Sequence, residues 1–370
     1  MEKTFGYLAD GGEAKLYTIE NGRLLAQVTD YGASLVTLRV DGTDVCLGCD
    51  DVRGYERNGA YLGAVVGRNA NRMSGASFML NGEKVQLPAN EGKNNLHSGP
   101  DSWGWRLWQV RAHTENSLTL GIFSPDGDQG FPGNAEFSVT YTIENEGLTI
   151  RYRGVSDKDT VFNVTNHAYF NLFGQDKPER AMDQELMVPA EAFCPDDAAN
   201  IPTGEVRAVE GTPFDFRSFK AIGRDIGMDY EPLILQGGYD HNFVNKGEIC
   251  AVMRNPENGL TMTVTTDLPG VQVYAGNFLE NQGKGGVYYG KRAGVALETQ
   301  HFPDSVNHPE WKQPFVKAGE VWESTTRYAF ASEKRAPRFL RKAGIFPAPA
   351  PTTTRQIKRN SRIYHVIARA

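Results

Sequence analysis

Along most of the chain apolar and polar residues alternate at period two, the repeat of a half-buried β-strand and not of a helix. The alternating runs come in pairs joined by turn residues. KLYTIE and RLLAQVTD flank Asn21-Gly22, FML and EKVQL flank Asn81-Gly82, and VMRNPE and LTMTVTTD flank Asn258-Gly259. Asn-Gly suits a type I′ turn, in which both central residues take φ > 0. Asp41-Gly42 repeats the device, a longer pair (FSVTYTIE, GLTIRYRGV) turns at Glu144 to Gly147, and VWESTTRYAF alternates again further on. No break in composition interrupts these pairs before about residue 333. The pattern predicts one continuous all-β domain over residues 1–333, a large antiparallel sandwich. Helices are few and short, with DDVRGYERN and Phe216 to Ile226 as the places for them.

One run departs from the scheme. Val161 to Gly174, VFNVTNHAYFNLFG, reads as a strand with Phe162, Val164, Ala168, Phe170 and Leu172 on one face and Asn163, Thr165, His167 and Asn171 on the other. The first face looks like core and the second like the wall of a cleft. A histidine there can exchange protons near neutral pH, or it can simply be hydrogen-bonded to its neighbours.

Composition changes the picture little. The chain has 370 residues, 40% hydrophobic and 23% charged, with 40 Gly and 19 Pro, which favours turns and short strands over helices. The start, MEKTFGYLADGGEAK, is polar, and no run approaches the roughly 18 to 20 apolar residues of a spanning helix, so a cytoplasmic protein without a membrane role is expected. Cys46, Cys49, Cys194 and Cys250 suggest no disulfide framework; the Cys46/Cys49 spacing lacks the second pair that a zinc site needs and reads as buried thiols.

Charge is more informative. Residues 334–370 carry ten Lys or Arg and no acid, so removing them from the net charge of −6 leaves −16 for residues 1–333. A body so acidic offers no nucleic-acid surface. The tail, basic and Pro/Ala-containing, is expected to be disordered or loosely packed. Neither GxGxxG nor GxxxxGK[ST] is present, so a nucleotide-binding fold has no foothold.

Candidate chemistry sits where Gly, Pro or aromatics accompany ionisable groups. GRNANR holds Arg68, Asn71 and Arg72, a possible shelf for hydroxyls or a carboxylate. NNLHSG offers His97 in a turn. GGYDHNFV puts Asp240 and His241 after two glycines that let the backbone bend; no HxH or HExxH spacing accompanies them, and no metal is expected. LPGVQVYAGNF combines Gln272 with Tyr274 and Phe278, amide and flat apolar surface together. In GVALETQHFPDS, Val295 and Leu297 share one face and Ala296, Glu298 and Gln300 the other. A glutamate in so apolar a run, if aimed into a pocket, can act as a base.

Taken together, GRNANR, NNLHSG, DGDQGFPGNAEFSVTYTI, NVTNHAYFNL, GYDHNFV, LPGVQVYAGNFL and GVALETQHFPDSVNHP, in this order, resemble the aldose 1-epimerase (galactose mutarotase) family over roughly residues 5–332. The resemblance implies a galactose mutarotase-like β-supersandwich and cofactor-free interconversion of the α and β anomers of free hexoses such as galactose and glucose. It implies Glu298 as the base and His167 as the acid, with Asn71, Arg72, His97, Asp240 and Gln272 holding the sugar. His241 is not carried over, and the basic tail lies outside the family pattern.

The chemistry is consistent with that set. A hemiacetal opens when one group takes the C1 hydroxyl proton while another protonates the ring oxygen, and each positioned transfer supplies about 10²- to 10⁴-fold. Acid and base are expected roughly 5 to 7 Å apart. Three alternatives stand beside this reading: a glycoside hydrolase recruiting Glu298 and Asp240, a non-catalytic sugar-binding module, and an epimerase of a phosphorylated hexose, for which Arg68 and Arg72 are the available cations.

Overall fold

The protein's structure, a computed structural model, describes residues 1–56 and 58–332; the expected disorder of the tail 334–370 lies outside the described residues. Three antiparallel sheets account for most of the strands. The first runs through Glu2–Tyr7, Glu13–Glu20, Leu24–Thr29, Leu35–Val40 and Thr43–Asp44. The second has nine strands, in the order Gln109–His113, Ser117–Ser124, Ala135–Glu144, Gly147–Ser156, Val321–Ala331, Thr261–Thr266, Ile249–Arg254, Glu185–Met187 and Lys220–Ala221. The third has six: Tyr169–Phe170, Val295–Gln300, Gly270–Tyr274, Asp240–Val244, Ala192–Cys194 and Arg207–Ala208.

One apolar core joins them. Ile19, Val28 and Leu38 of the first sheet, Leu120, Val139, Ile150 and Val264 of the second, and Phe243, Val273, Val295 and Leu297 of the third belong to the same buried cluster. The nine-stranded sheet alternates buried with exposed or part-buried positions along Ala135–Glu144, so one face meets the core and the other turns towards water. Val295–Gln300 is buried at every position. Its Val295 and Leu297 face the core, which leaves Glu298 and Gln300 on a second face that is also shielded.

The turns follow local chemistry where two residues suffice. Asp41-Gly42 (φ 49° and 88°) and Asn81-Gly82 (φ 52° and 84°) are left-handed at both positions, with Val40 opposite Thr43 and Leu80 opposite Glu83. Asn145-Glu146 adopts the same left-handed pair (φ 43° and 66°) without a glycine, held by the long flanking ladder. At Asn21-Gly22 and Asn258-Gly259 only the glycine is left-handed. The second of these is not a two-residue turn: Arg254 pairs with Thr261, and residues 255–260 form the loop. Pro256 has no N–H with which to continue the ladder, and the Asn255 side chain ties the loop down by accepting from Glu257 N–H at 2.9 Å.

Among the described residues there is one α-helix, Glu231–Gln236, with eight short 3₁₀ turns. Two of these, Val52–Gly54 and Ile222–Arg224, fall in the segments where short helices were expected. Val161–Gly174 is not one strand: it is broken into Thr160–Val161, Thr165–Asn166 and Tyr169–Phe170, which pair respectively with Phe315–Val316, Val65–Val66 and Val295–Ala296. Every residue from 161 to 173 is buried, so its polar face meets protein and a cleft instead of open water.

Candidate functional site

The polar face of the six-stranded sheet forms the floor of a cleft of about 490 Å³. Cross-strand register sets its layout. Tyr169, Ala296, Tyr274 and Asp240 lie in one row across four strands; Glu298, Gln272 and Asn242 lie in the next. Extending the Tyr169–Ala296 pairing by two residues brings His167 opposite Glu298, and His167 Nε2 lies 3.6 Å from Glu298 Oε1. The backbone of His167 is fixed from the other side, its N–H donating to Ala64 O at 2.9 Å and its carbonyl accepting from Gly63 N–H at 3.0 Å. The separation is shorter than the expected 5 to 7 Å. Side chains from directly opposed strand positions meet at such a distance, and two oxygens borne by a single carbon are close enough together for both groups to reach.

Burial disfavours charge on both members of the pair. It pushes Glu298 well above the usual carboxylate range, with Asp240 acting in the same direction and Arg72 opposing. It takes His167 down to about 4. Both shifts favour the neutral forms, a protonated carboxyl at Glu298 and an uncharged imidazole at His167, so burial favours a pair that carries a single proton. Glu298 Oε2 and His167 Nδ1 have no hydrogen-bond partner among the described residues.

The wall comes from the loops around residues 71 and 97, which lock each other. Asn71 N–H donates to His97 Nδ1 at 3.1 Å, and His97 N–H donates to Asn71 O at 3.0 Å. With Nδ1 accepting, the imidazole proton sits on Nε2, and burial with the neighbouring His167 and Arg72 holds the ring neutral, so His97 is an N–H donor for the cleft. Asn71, His97 and Tyr61 all take left-handed backbone conformations (φ 62°, 51° and 52°) without being glycine, a concentration of strain at one place. Tyr61 stacks on Trp105 with ring centroids 4.8 Å apart and lies 4.7 Å from the His97 ring.

Arg72 is gripped from one side, Nε to Glu91 Oε2 at 2.7 Å and Nη2 to Glu91 Oε1 at 2.9 Å, a bidentate pair that leaves the other edge of the guanidinium for the cleft. Asp240 leaves the helix Glu231–Gln236 through Gly237 and Gly238, both with positive φ (65° and 144°), as the two glycines suggested; a Cβ at Gly238 would come within 2.3 Å of Asn277 Oδ1. Burial raises the Asp240 carboxyl, against Arg72 and the hydrogen bond from Gln272.

Two sequence candidates lie elsewhere. Arg68 is 1% exposed and does not line the cleft. Its guanidinium donates to Ser124 O and Oγ, Pro132 O, Gly133 O and Thr160 Oγ1, a cage of neutral acceptors 2.8 to 3.2 Å away, and burial draws it down to about 10. Gln272 does not line the cleft either; its Nε2 donates to Asp240 Oδ1 at 2.7 Å, so it reaches the cleft through that carboxylate. Conversely, Tyr61, Glu91 and Tyr169 line the cleft without having been singled out. Glu91 sits in the same NEGKNNLHSG loop as His97, where an acid close to GRNANR was the available signal. Phe278, 71% exposed, stands at the rim.

The cleft is acidic. Among its described lining residues Arg72 is the one lysine or arginine, already paired with Glu91, beside Asp240, Glu280 and Glu298. It suits a neutral polyhydroxylated ligand better than a phosphorylated one. No cluster of three or more potential metal ligands occurs among the described residues.

The sequence matches the aldose 1-epimerase family over residues 15–329. It is 37% identical over 339 residues to galactose mutarotase of Bos taurus, covering 88% of this chain and 97% of that protein. It is 38% identical over 348 residues to aldose 1-epimerase of Haemophilus influenzae, covering 89% and 99%. Among solved structures, galactose 1-epimerase from Lactobacillus acidophilus superposes with a TM-score of 0.79 at 29% identity, covering 90% of this chain and 98% of that one.

Proposed function

The chain belongs to the aldose 1-epimerase family, and on that premise we propose that it interconverts the α and β anomers of free hexoses, galactose and glucose among them, with Glu298 as base and His167 as acid. The observation that carries the assignment is the 3.6 Å approach of His167 Nε2 to Glu298 Oε1 on the cleft floor. With the shared proton on His167, Glu298 takes the proton of the C1 hydroxyl while His167 Nε2 gives its proton to the ring oxygen. The C1–O5 bond breaks, its electron pair stays on O5, and the C1–O1 bond becomes a carbonyl. After rotation about C1–C2, the C5 hydroxyl adds to the other face of the aldehyde and both transfers run backwards. The pair ends with the single proton it began with, so no cofactor chemistry is needed.

Asn71, Arg72, His97 and Asp240 are assigned to the hydroxyls away from C1, leaving C1 free to turn. Gln272 acts on the sugar through Asp240. The cytoplasm, where four buried thiols would stay reduced, is the compartment this reading implies. No described helix is long and apolar enough to cross a membrane.

Polarimetry of freshly dissolved α-D-galactose and α-D-glucose tests the reading. Wild-type protein is expected to accelerate the approach to equilibrium, with the acceleration lost in Glu298→Gln and His167→Ala. A wild type that leaves the spontaneous rate unchanged on both sugars, or a fully active Glu298→Gln, would overturn it.

A further inference from the structure

Behind the catalytic pair, on the same face of the sheet, is a group of buried polar atoms without partners. Register places them together. Gln272 lies opposite both Glu298 and Asn242, and Gln300 lies opposite Gly270. A Cβ at Gly270 would come within 2.3 Å of Asn242 Oδ1, so the Asn242 carboxamide leans over the glycine beside Gln300. The neighbouring segment runs antiparallel to this strand: Tyr169 pairs with Ala296, and the Asn163 carboxamide accepts from His301 N–H at 2.8 Å. Between these two fixed points Thr165 falls opposite Gln300, as His167 falls opposite Glu298.

Gln300 is 0% exposed, and Thr165, Asn242, Gln272 and Glu298 are at most 2% exposed. Thr165 Oγ1, Asn242 Oδ1, Gln272 Oε1, Glu298 Oε2 and both amide atoms of Gln300 have no hydrogen-bond partner among the described residues. Buried polar atoms in folded proteins are nearly always paired, and enclosed water supplies the partner where side chains do not. The chemistry of this set favours water. Four of its groups are acceptor oxygens, a single amide nitrogen donates, and the Thr165 hydroxyl can do either, so the set cannot satisfy itself. A water molecule brings two donors and can accept from Gln300 Nε2. The Asn242 carboxamide fills the space that a side chain at Gly270 would take, which holds its unpaired Oδ1 on the floor beside the position of Gln300.

We propose that Gln300, Asn242 and Thr165 form an internal hydration site behind Glu298, and that water held there hydrogen-bonds the carboxylate oxygen Oε2. The proposal rests on the reading of Glu298 as the base. It divides the carboxylate: Oε1 faces His167 and the sugar, and Oε2 is solvated from behind so that the buried group can carry its charge. Gln300 is then a positioning residue that touches neither sugar nor reacting atoms.

The groups that face Glu298 are His167 from the adjacent strand, Asp240 and Arg72 across the cleft, and the Tyr169, Tyr274 and Tyr328 hydroxyls, all three raised by burial out of the physiological range. None of the tyrosines titrates where a base must ionise, so loss of water at Oε2 acts on the Glu298–His167 pair. Weaker solvation favours the proton on the carboxyl over the proton on His167, so less of the singly protonated pair is in the reactive form: activity falls across the plateau and the alkaline limb moves to higher pH.

Two experiments decide. A high-resolution crystal structure of the wild type is expected to show ordered water within hydrogen-bond distance of Oε2 and in contact with Gln300 or Asn242. In Gln300→Met, of similar size but without polar amide atoms, kcat for mutarotation is expected about tenfold lower across the plateau with KM unchanged, and the alkaline limb of kcat/KM is expected to move up by as much as about one pH unit. A metal ion in that density, Oε2 turned onto a protein donor, or a kcat plateau that does not fall in Gln300→Met overturns the hydration site. Should Gln300→Met not fold, the wild-type density decides by itself. Full activity of Glu298→Gln overturns the assignment of the base instead and leaves the crystallographic result standing.

Discussion

Two buried charges on opposite sides of the functional divide meet their surroundings differently. Lys284, 9% exposed, places its ammonium against Val36 O at 2.7 Å, Cys46 O at 2.8 Å and Asp44 Oδ2 at 2.7 Å, three acceptors for three N–H bonds. Glu298 is buried more deeply, yet one of its oxygens has no described partner and the other faces a histidine 3.6 Å away. The first charge is saturated and can do nothing but hold Gly283–Gly286 to the first sheet. The second has unused bonding capacity, which is what a proton acceptor requires. Arg68 in its cage of neutral acceptors follows Lys284, although its motif-mate Arg72 lines the cleft.

Glu298→Gln breaks the contrast most sharply. Mutarotase activity is expected to fall by about 10²- to 10⁴-fold, while stability is kept. Because the folded carboxyl is raised above its unfolded value, the native state holds a proton that the unfolded state has released above about pH 4.5, and wild-type stability declines as pH rises from there. Urea midpoints for Glu298→Gln should therefore improve on wild type as pH increases from 5 to 8. Lys284→Met should do the reverse, leaving the Asp44 carboxylate and two carbonyls without their cation. A loss of about 3–5 kcal/mol in unfolding free energy is expected from chemical denaturation, with activity per folded molecule within about twofold of wild type.

Smaller effects sharpen the picture inside the cleft. Glu91→Gln loosens the bidentate grip on Arg72 and should raise KM about tenfold with little change in kcat, since orientation of a binding group is lost and the proton-transfer pair is not. His241 offers a neutral control. It is buried beside Asp240, accepts from the Asp240 N–H at 3.2 Å, and packs edge-on against Phe214, and burial takes it down to about 3. Below an unfolded value near 6.5 the unfolded state binds a proton that the native state refuses, so His241 costs stability as pH falls from there towards 3. Replacing it with Phe should flatten that decline by about 1.4 kcal/mol per pH unit, read from denaturation midpoints at pH 6, 5 and 4.

Much of this arrangement was legible in the chain. Alternation identified the strands, and it placed Glu298 on the face away from Val295 and Leu297. Asp41-Gly42 and Asn81-Gly82 announced their turns because a two-residue left-handed connection needs those residue types. What escaped depended on tertiary direction. Nothing in GRNANR distinguishes the arginine that turns into a cage of carbonyls from the one that meets Glu91 across a loop. The stretch around His167 looked like a single strand because period two survives in its side chains, even though its backbone pairs with three different partners. Gln272 carried the right amide for a sugar, but its neighbour Asp240 takes the hydrogen bond. The 3.6 Å separation follows from opposed strand positions, which spacing along one chain does not reveal.

That opposition of His167 and Glu298 across neighbouring strands has a consequence for how such a protein can change length. The two residues are brought together by the Tyr169–Ala296 and Phe170–Val295 pairs and the Asn163–His301 hydrogen bond, with His167 tied on its other side to Gly63 and Ala64, so loops elsewhere in the long stretch between them can gain or lose residues without altering their separation. A single deletion inside residues 163–170 or 295–301 is another matter: it would turn the carboxylate into the apolar core and bring a hydrophobic side chain to the cleft floor. Insertions and deletions should therefore be tolerated in the loops near residues 196–204 and 225–230, and lethal to activity within TNHAYF or VALETQ.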